Sequence, residues 1–247
     1  AKDEAEALKQ AQELDDLNVK RQSLTQEAFD EARMVLGDEL ENNPFMVMAI
    51  SNNFPDGILG LVAGKFSQLY HRPAFGIRIH ENGQAGGSAR SINGFNIVAA
   101  LDQCKDILHR YGGHSQAAGF SLDAKDIPEF KSRMQAIIEE SVAIEDMVPM
   151  INIDAEIDIN SANETLLGEL KVLEPTGQAN NAPVFMSRNV LIDKTSTMGK
   201  EKQHLRLTFI TMSGPLHAVA FNQAHMNGML GSVQVAYRLG MNEFRGE

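Results

Sequence analysis

The chain has 247 residues, of which 43% are hydrophobic, and a mean hydropathy of −0.23. It is long enough for two ordinary domains, its single cysteine excludes an internal disulfide, and no apolar run approaches the ~20 residues that span a bilayer. The net charge of −11 argues against a nucleic-acid ligand, but residues 1–42 hold five Lys/Arg and twelve Asp/Glu, so that the remainder carries only −4.

The first element is a long charged helix. Its apolar positions keep a spacing of three to four residues from Leu8 to Leu36, and no Pro or Gly interrupts them before Gly37. A helix of this length with one narrow apolar stripe typically bridges two bodies. We therefore predict a connector helix over residues 1–42, whose upstream partner lies outside this chain.

Residues 43–147 alternate between strand and helix patterns, which predicts an α/β domain. Asn82-Gly83 indicates a hairpin turn in this region. The predicted strands are Phe45–Ile50, Ala74–Ile79 and Ala117–Leu122, with a further strand predicted in the glycine-rich segment from Gln84 to Ser91; the predicted helices are Ile58–Tyr70, Phe95–Arg110 and Pro128–Val142.

Residues 148–247 show the pattern of several short strands, which predicts a small β-barrel or sandwich. The period-two alternation of Ile151, Ile153, Ile157 and Ile159 indicates strand structure at its start, and a short helix is predicted from Asn163 to Leu173. Further strands are predicted at Val184–Lys194, His204–Thr211, Leu216–Phe221 and Val233–Leu239. We expect one more strand after the point at which the chain stops.

Two glycine-rich segments carry the candidate chemistry. Gly112-Gly113 precedes His114, which can donate to a phosphate or move a proton near neutral pH, although the same glycines can simply end a helix. Ser88 and Arg90 lie two apart on a predicted strand, so their side chains emerge on one face and can bind phosphate oxygens; an exposed hairpin arginine is the alternative. Because one helix joins the two segments, we expect them to converge on one pocket.

These motifs resemble the DHH-associated domain of DHH-family phosphoesterases, and most of all the RecJ-like exonucleases. The resemblance is carried by Gly87-Ser88-Ala89-Arg90-Ser91, Gly112-Gly113-His114, Leu17-Asn18 with Arg21, Gly57 to Ala63, Leu173-Glu174-Pro175, Gly199-Lys200 and Asn242 to Gly246. It implies a connector helix, a DHH-associated α/β domain and an OB-fold barrel that lacks its last strand.

The resemblance also implies a function, namely 5′→3′ degradation of single-stranded DNA in repair and recombination. RecJ-like proteins use Mn²⁺ or Mg²⁺, held by an N-terminal DHH domain that this chain lacks, and we expect no metal site here. The implied phosphate-binding residues are Gly87, Ser88, Arg90, Ser91, Gly112, Gly113 and His114, with His114 closing over the metal centre as an accessory catalytic group. Lys200, Lys202, Arg206 and Arg245 are candidate DNA contacts on the OB-fold.

Other functions stay open at this point. A DHH-family oligoribonuclease or phosphoadenosine phosphatase shares the Gly-Gly-His motif but lacks an OB-fold. A non-catalytic module that binds nucleic acid or protein fits the acidic composition. We expect a cytoplasmic protein without membrane contact, which acts on single-stranded DNA together with its DHH domain and with a single-strand-binding protein or a helicase as further partners.

Overall fold

The computed structural model describes residues 3–37 and 43–241, and the chain divides into two compact units between Pro149 and Met150. The helices are α1 (Glu4–Leu36), α2 (Leu59–Tyr70), α3 (Ile97–Asp102), α4 (Ile127–Ser141) and α5 (Glu164–Leu170). The strands are β1 (Val47–Ser51), β2 (Ala74–Ile79), β3 (Gln84–Arg90), β4 (Leu108–His114), β5 (Ala117–Asp123), β6 (Ala155–Glu156), β7 (Phe185–Met198), β8 (His204–Thr211), β9 (Gly214–Ala220) and β10 (Gly231–Tyr237).

Helix α1 confirms the predicted long helix. Asp3 caps it by accepting a hydrogen bond from the Glu6 amide at 2.7 Å, and Gly37 follows it at a φ of +42°. Only its C-terminal part packs, through a buried side that includes Phe29 and Leu36, whereas Leu14 is 67% exposed. Among the described residues, no helix is both long and apolar enough to cross a membrane.

The first unit is built on a five-stranded sheet in the order β1-β2-β3-β5-β4. Strands β1 and β2 pair in parallel and the other neighbours are antiparallel. One face packs against α2 and the end of α1, and the other packs against α3 and α4 around Phe75, Phe120 and Phe130. This three-layer arrangement confirms the predicted α/β domain, and the hairpin turn at Asn82-Gly83 joins β2 to β3.

The predicted helix Phe95–Arg110 is wrong in its second half. Asn96 caps α3, which ends after six residues because the following amides bond to carbonyls three residues back, as in the bond from Cys104 to Leu101. The chain then enters β4, which pairs with β5 at the edge of the sheet. The Gly-Gly-His motif therefore lies within a strand, and the alternative that its glycines end a helix is also wrong.

The second unit confirms all four predicted strands between Val184 and Leu239, within a few residues at each end. Its sheet has the order β10-β7-β8-β9, with β6 parallel to β7. Leu205, Leu207 and Phe209 are buried while Arg206 is exposed, as the alternation of β8 predicts. The further strand is expected beyond Glu247, and residues 242–247, where the turn into it is expected, lie outside the described part of the chain.

The strand pattern predicted over Ile151–Ile159 is largely wrong. Only Ala155 and Glu156 form a strand, and Ile151 is 66% exposed. The chain leaves the sheet because the Asp158 carboxylate accepts a hydrogen bond from the Asn160 amide at 2.7 Å and caps a tight helical turn, in which Ile159 becomes buried. Short-range capping thus outweighs the alternating pattern here.

Candidate phosphate-binding site

The register of the first sheet brings both glycine-rich segments to the same end of three neighbouring strands. Arg90 of β3 pairs with Ala117 of β5, and Ala117 pairs in turn with His114 of β4. Arg90 and His114 therefore stand two strand spacings apart, about 10 Å between backbones. The sequence predicts that these two residues share a site, and the structure does bring them together on one row.

Two further rows complete a surface that we call the glycine shelf. The second row is Ser88, Gly119 and Gly112, and the third is Gly86, Ser121 and Arg110. Residues that pair across strands point to the same face, so all three rows present their side chains on the side on which α2 packs. Helix α2 packs on β2 and β3, whereas Gly112, Gly119 and His114 of β4 and β5 are exposed.

The predicted glycines have different roles. A Cβ added to Gly112 would meet nothing within 4 Å, so a ligand can approach the backbone closely at this point. A Cβ on Gly113 would lie 2.2 Å from the Ala117 carbonyl oxygen, and one on Gly87 would lie 2.2 Å from the Phe120 ring. Gly87 is thus required by the packing of Phe120 on the opposite face, and Gly113 by the close approach of the β5 backbone, so that of these three glycines Gly112 opens the shelf.

The side chain of Arg90 lies along α2. Its Cγ is 4.0 Å from the position of a Cβ on Gly64, and its Nη2 is 2.6 Å from that of a Cβ on Gly60. Its Nη1 donates a hydrogen bond to the Ala89 carbonyl at 2.9 Å. Gly60 and Gly64 therefore form a seat for the guanidinium, a role that their four-residue spacing on one helix face could have indicated.

Arg90 also lines a cleft of about 770 Å³ between α1 and α2. Two other cations line it, and both have neutral partners: Arg21 donates to the Asn18 amide oxygen at 2.8 Å, and Lys65 donates to that of Gln26 at 2.5 Å. The carboxylates in the cleft belong to Glu27 and Asp30. Among the described residues, no ion pair neutralises these three cations, so the cleft offers positive charge to an anion.

Ser91, a predicted phosphate ligand, has a structural role. Its hydroxyl donates to the Phe95 carbonyl at 2.6 Å, and its amide donates to the Gln116 carbonyl at 2.9 Å. The Gln116 side chain donates in return to the Ile92 carbonyl at 3.2 Å. These bonds tie the loop after β3 to the turn between β4 and β5, and thereby fix the ends that carry Arg90 and His114.

His114 and Ser88 keep their side chains available. His114 is exposed, Ser88 is half-buried, and neither side chain has a hydrogen-bond partner among the residues that the structure describes. Sequence reasoning missed Arg110, which lies on the same face of β4 as His114, four residues earlier. It also missed Arg78 of β2, which pairs with Gly86 and forms an ion pair with Asp56 at 3.3 Å.

The OB-fold candidates occupy one region of the second unit. Lys200 and Lys202 are exposed in the turn between β7 and β8, and Arg206 is exposed on β8. Arg245 lies outside the described residues. Within the described parts of the chain, no group of three or more His, Cys, Asp or Glu side chains is arranged to hold a metal ion. The residues of the shelf accordingly do not fit a metal centre, and we derive no chemical step through one.

Comparison with known proteins identifies both units. Residues 42–140 match the DHHA1 domain, and residues 153–247 match the RecJ OB domain. The single-stranded-DNA-specific exonuclease RecJ of Bacillus subtilis is 34% identical over 228 residues, which cover 92% of this chain and 29% of that protein. The RecJ protein of Haemophilus influenzae is 27% identical over 212 residues, or 82% of this chain and 37% of that one.

Solved structures agree with these matches. The crystal structure of Thermus thermophilus RecJ in complex with Mn²⁺ superposes with a TM-score of 0.78 at 27% identity, covering the whole of this chain and 35% of that one. Its complex with Mg²⁺ gives 0.77 at 26% identity. The chain spans about a third of the length of the relatives it matches. This chain thus contains a long helix, a DHHA1 domain and a RecJ OB domain, and it is similar over nearly its whole length to about a third of the RecJ proteins.

Proposed function

We propose that this chain is the substrate-holding part of a single-stranded-DNA exonuclease. The observation that carries the proposal is the row of Arg90, Ala117 and His114 at the edge of the glycine shelf. A cation, an imidazole and an open stretch of backbone at Gly112 together offer hydrogen-bond donors to a phosphodiester and steric room for it. The shelf binds the sugar–phosphate backbone, and Arg90 extends the positive surface towards Arg21 in the cleft.

In this proposal the metal chemistry resides in a DHH domain outside the chain. The Thermus relatives are described in complex with Mn²⁺ or Mg²⁺, which supports a divalent metal in the intact protein. The residues of this chain orient the strand: Ser88 and Arg90 hold phosphate oxygens, and His114 donates to a phosphate beside the metal centre. Alone, the chain should leave a DNA strand intact in the presence of Mn²⁺, and degradation would contradict this division of roles.

The alternatives receive less support. Oligoribonucleases and phosphoadenosine phosphatases of the superfamily lack an OB-fold, whereas residues 153–247 match the RecJ OB model. A non-catalytic binding module would need neither Arg90 nor His114. We further propose a cytoplasmic location, a 5′→3′ direction of digestion, and cooperation with a single-strand-binding protein or a helicase, as the resemblance to RecJ-like proteins implies.

The decisive experiment measures binding of a fluorescent 5′-phosphorylated DNA strand by anisotropy at several salt concentrations. His114→Ala should raise the Kd about tenfold, the effect of losing one charge-assisted hydrogen bond. Arg90→Ala, which removes a cation, should reduce the slope of log affinity against log salt by about 0.7, the value for one neutralised phosphate of a single strand. His109→Ala is the matched control, because His109 is also an exposed histidine of β4 but pairs with Asp123 at 3.0 Å.

Three results are possible. Weaker binding by His114→Ala, with His109→Ala unchanged, would support the phosphate site. Equal binding by both variants would contradict it and leave the OB domain as the DNA contact. If neither Arg90→Ala nor His114→Ala changes the affinity for DNA, the result would favour the non-catalytic module.

A further inference from the structure

The second unit exposes an aromatic ring at the end of β9. Phe221 follows Ala220 directly and is 70% exposed, so its ring is accessible to a ligand. The ring of His204 packs against it in a T-shaped arrangement, with centroids 5.3 Å apart and planes at 77°. This neighbour supports the phenyl ring and still leaves most of it open to solvent.

The surroundings of this ring pair are held in place. The Asn222 amide donates to Nδ1 of His204 at 3.0 Å, which also leaves Nε2 as the protonated nitrogen of the neutral imidazole. The preceding turn packs tightly on His204: a Cβ on Gly199, whose φ is +95°, would lie 3.0 Å from Cδ2 of His204. A ligand that stacks on Phe221 therefore meets a preorganised surface and pays little ordering entropy.

The charge distribution favours a polyanion at this surface. Although the chain has a net charge of −11, residues 203–241 contain no Asp or Glu. Lys200 and Lys202 are exposed on either side of Glu201 in the turn that precedes His204, and exposed Arg206 lies on the same face of β8 as His204. A phosphate backbone can follow these cations while a base reaches Phe221.

We infer that Phe221 is a stacking platform for one unpaired base of a single-stranded nucleic acid, with His204 supporting the ring. The inference rests on the proposed single-strand binding but concerns a different domain from the glycine shelf. Because the chain has no tryptophan and only three tyrosines, a phenylalanine is the more readily available side chain for stacking on a base. Stacking on an aromatic side chain tolerates any base, as an exonuclease without sequence preference requires.

The test uses the whole chain and a fluorescein-labelled oligothymidylate, measured by anisotropy. Phe221→Ala should raise the Kd between about fivefold and a hundredfold, the range for the loss of one stacked base. Phe221→Trp should bind at least as tightly as the wild type, which separates stacking from any damage to the fold. Met212→Ala is the control, because Met212 is a 91% exposed apolar side chain in the turn between β8 and β9.

A second strand with abasic sites distinguishes base stacking from phosphate binding. The wild type and Phe221→Ala should bind the abasic strand with the same affinity, because that strand has no base to stack. Wild-type affinity of Phe221→Ala for oligothymidylate would overturn the inference. An equal loss of affinity for both strands would also overturn it, because the lost contact would then not be to a base. If His114→Ala weakens binding and Phe221→Ala does not, only the platform fails; if the wild type binds neither strand, the proposed function fails with it.

Discussion

Gly112 and Gly113 are neighbours on β4, yet substituting them should give opposite results. Gly113 has a φ of +150°, and a Cβ at this position would lie 2.2 Å from the Ala117 carbonyl oxygen and 2.7 Å from the Ala118 Cα. Both contacts are to backbone, which cannot rotate away. Gly113→Ala must therefore separate β4 from β5 or distort both strands.

The cost follows from two separate effects. A non-glycine residue in a sparsely populated backbone conformation costs about 1–3 kcal/mol, and forcing an extra methyl group into a packed site costs about as much again. Gly113→Ala should thus lower the free energy of unfolding of the first unit by about 2–6 kcal/mol. Gly112→Ala places its methyl group in open space and should change that free energy by less than about 1 kcal/mol.

Hydrogen exchange is the suitable assay, because the chain has two units and a single unfolding transition cannot be assumed. In Gly113→Ala, amide protection should fall along β4 and β5 while that of β7 and β8 stays unchanged. In Gly112→Ala, protection should stay at the wild-type level while the affinity for a 5′-phosphorylated strand falls, because the methyl group occupies the shelf. Full protection in Gly113→Ala would refute the packing role of Gly113, and unchanged DNA binding by Gly112→Ala would refute the role of Gly112 in ligand access.

Three further predictions test other contacts. Gly60→Ala should displace the flexible end of Arg90 and weaken binding of a 5′-phosphorylated strand severalfold, with little change in melting temperature, since the added Cβ lies 2.6 Å from Nη2 and the side chain can move. Cys104 is fully buried, which shields its thiol and raises the thiol pKa, so an aromatic disulfide reagent should label it much faster in denaturant than in buffer. The hydrogen bond from His109 lowers the pKa of Asp123. The stability that this bond contributes is therefore present above the unfolded pKa of about 3.9 and is lost as pH falls through the lower folded pKa. In urea unfolding at a series of pH values, Asp123→Asn should be less stable than the wild type above that range and equally stable below it.

Local patterns predicted most of the strands. Ala74–Ile79 is a strand with the predicted bounds, because a buried apolar run ends at a turn that Asn82-Gly83 encodes within four residues. Arg206 faces away from the core of β8 for the same reason, since strict alternation determines the face of each side chain. The convergence of the two motifs was predicted from the single helix that joins them, and the sheet register places both at the same end of neighbouring strands.

The predictions failed where tertiary pairing overrides local spacing. The segment from Leu108 to Tyr111 continues the apolar spacing of a helix, but β5 offers its backbone an antiparallel partner and the segment becomes an edge strand. The seat of Arg90 could not be read from its own segment, because Gly60 lies 30 residues earlier on another element. Whether a glycine is needed for packing or for the approach of a ligand also depends on the strand that pairs with it, and the residues around that glycine in the sequence do not reveal this strand.

The net charge of the whole chain does not describe the charge at each candidate binding surface. At physiological salt the screening length is about 8 Å, so a carboxylate farther away than this contributes little at a phosphate. The acidic residues are concentrated in residues 1–42, and only Glu27 and Asp30 of these line the cleft beside Arg90; the three rows of the shelf contain Arg90 and Arg110 but no carboxylate, and residues 203–241 contain none at all. A net charge of −11 is therefore compatible with two separate surfaces for a polyanion, because each phosphate responds to the few charges within its screening length.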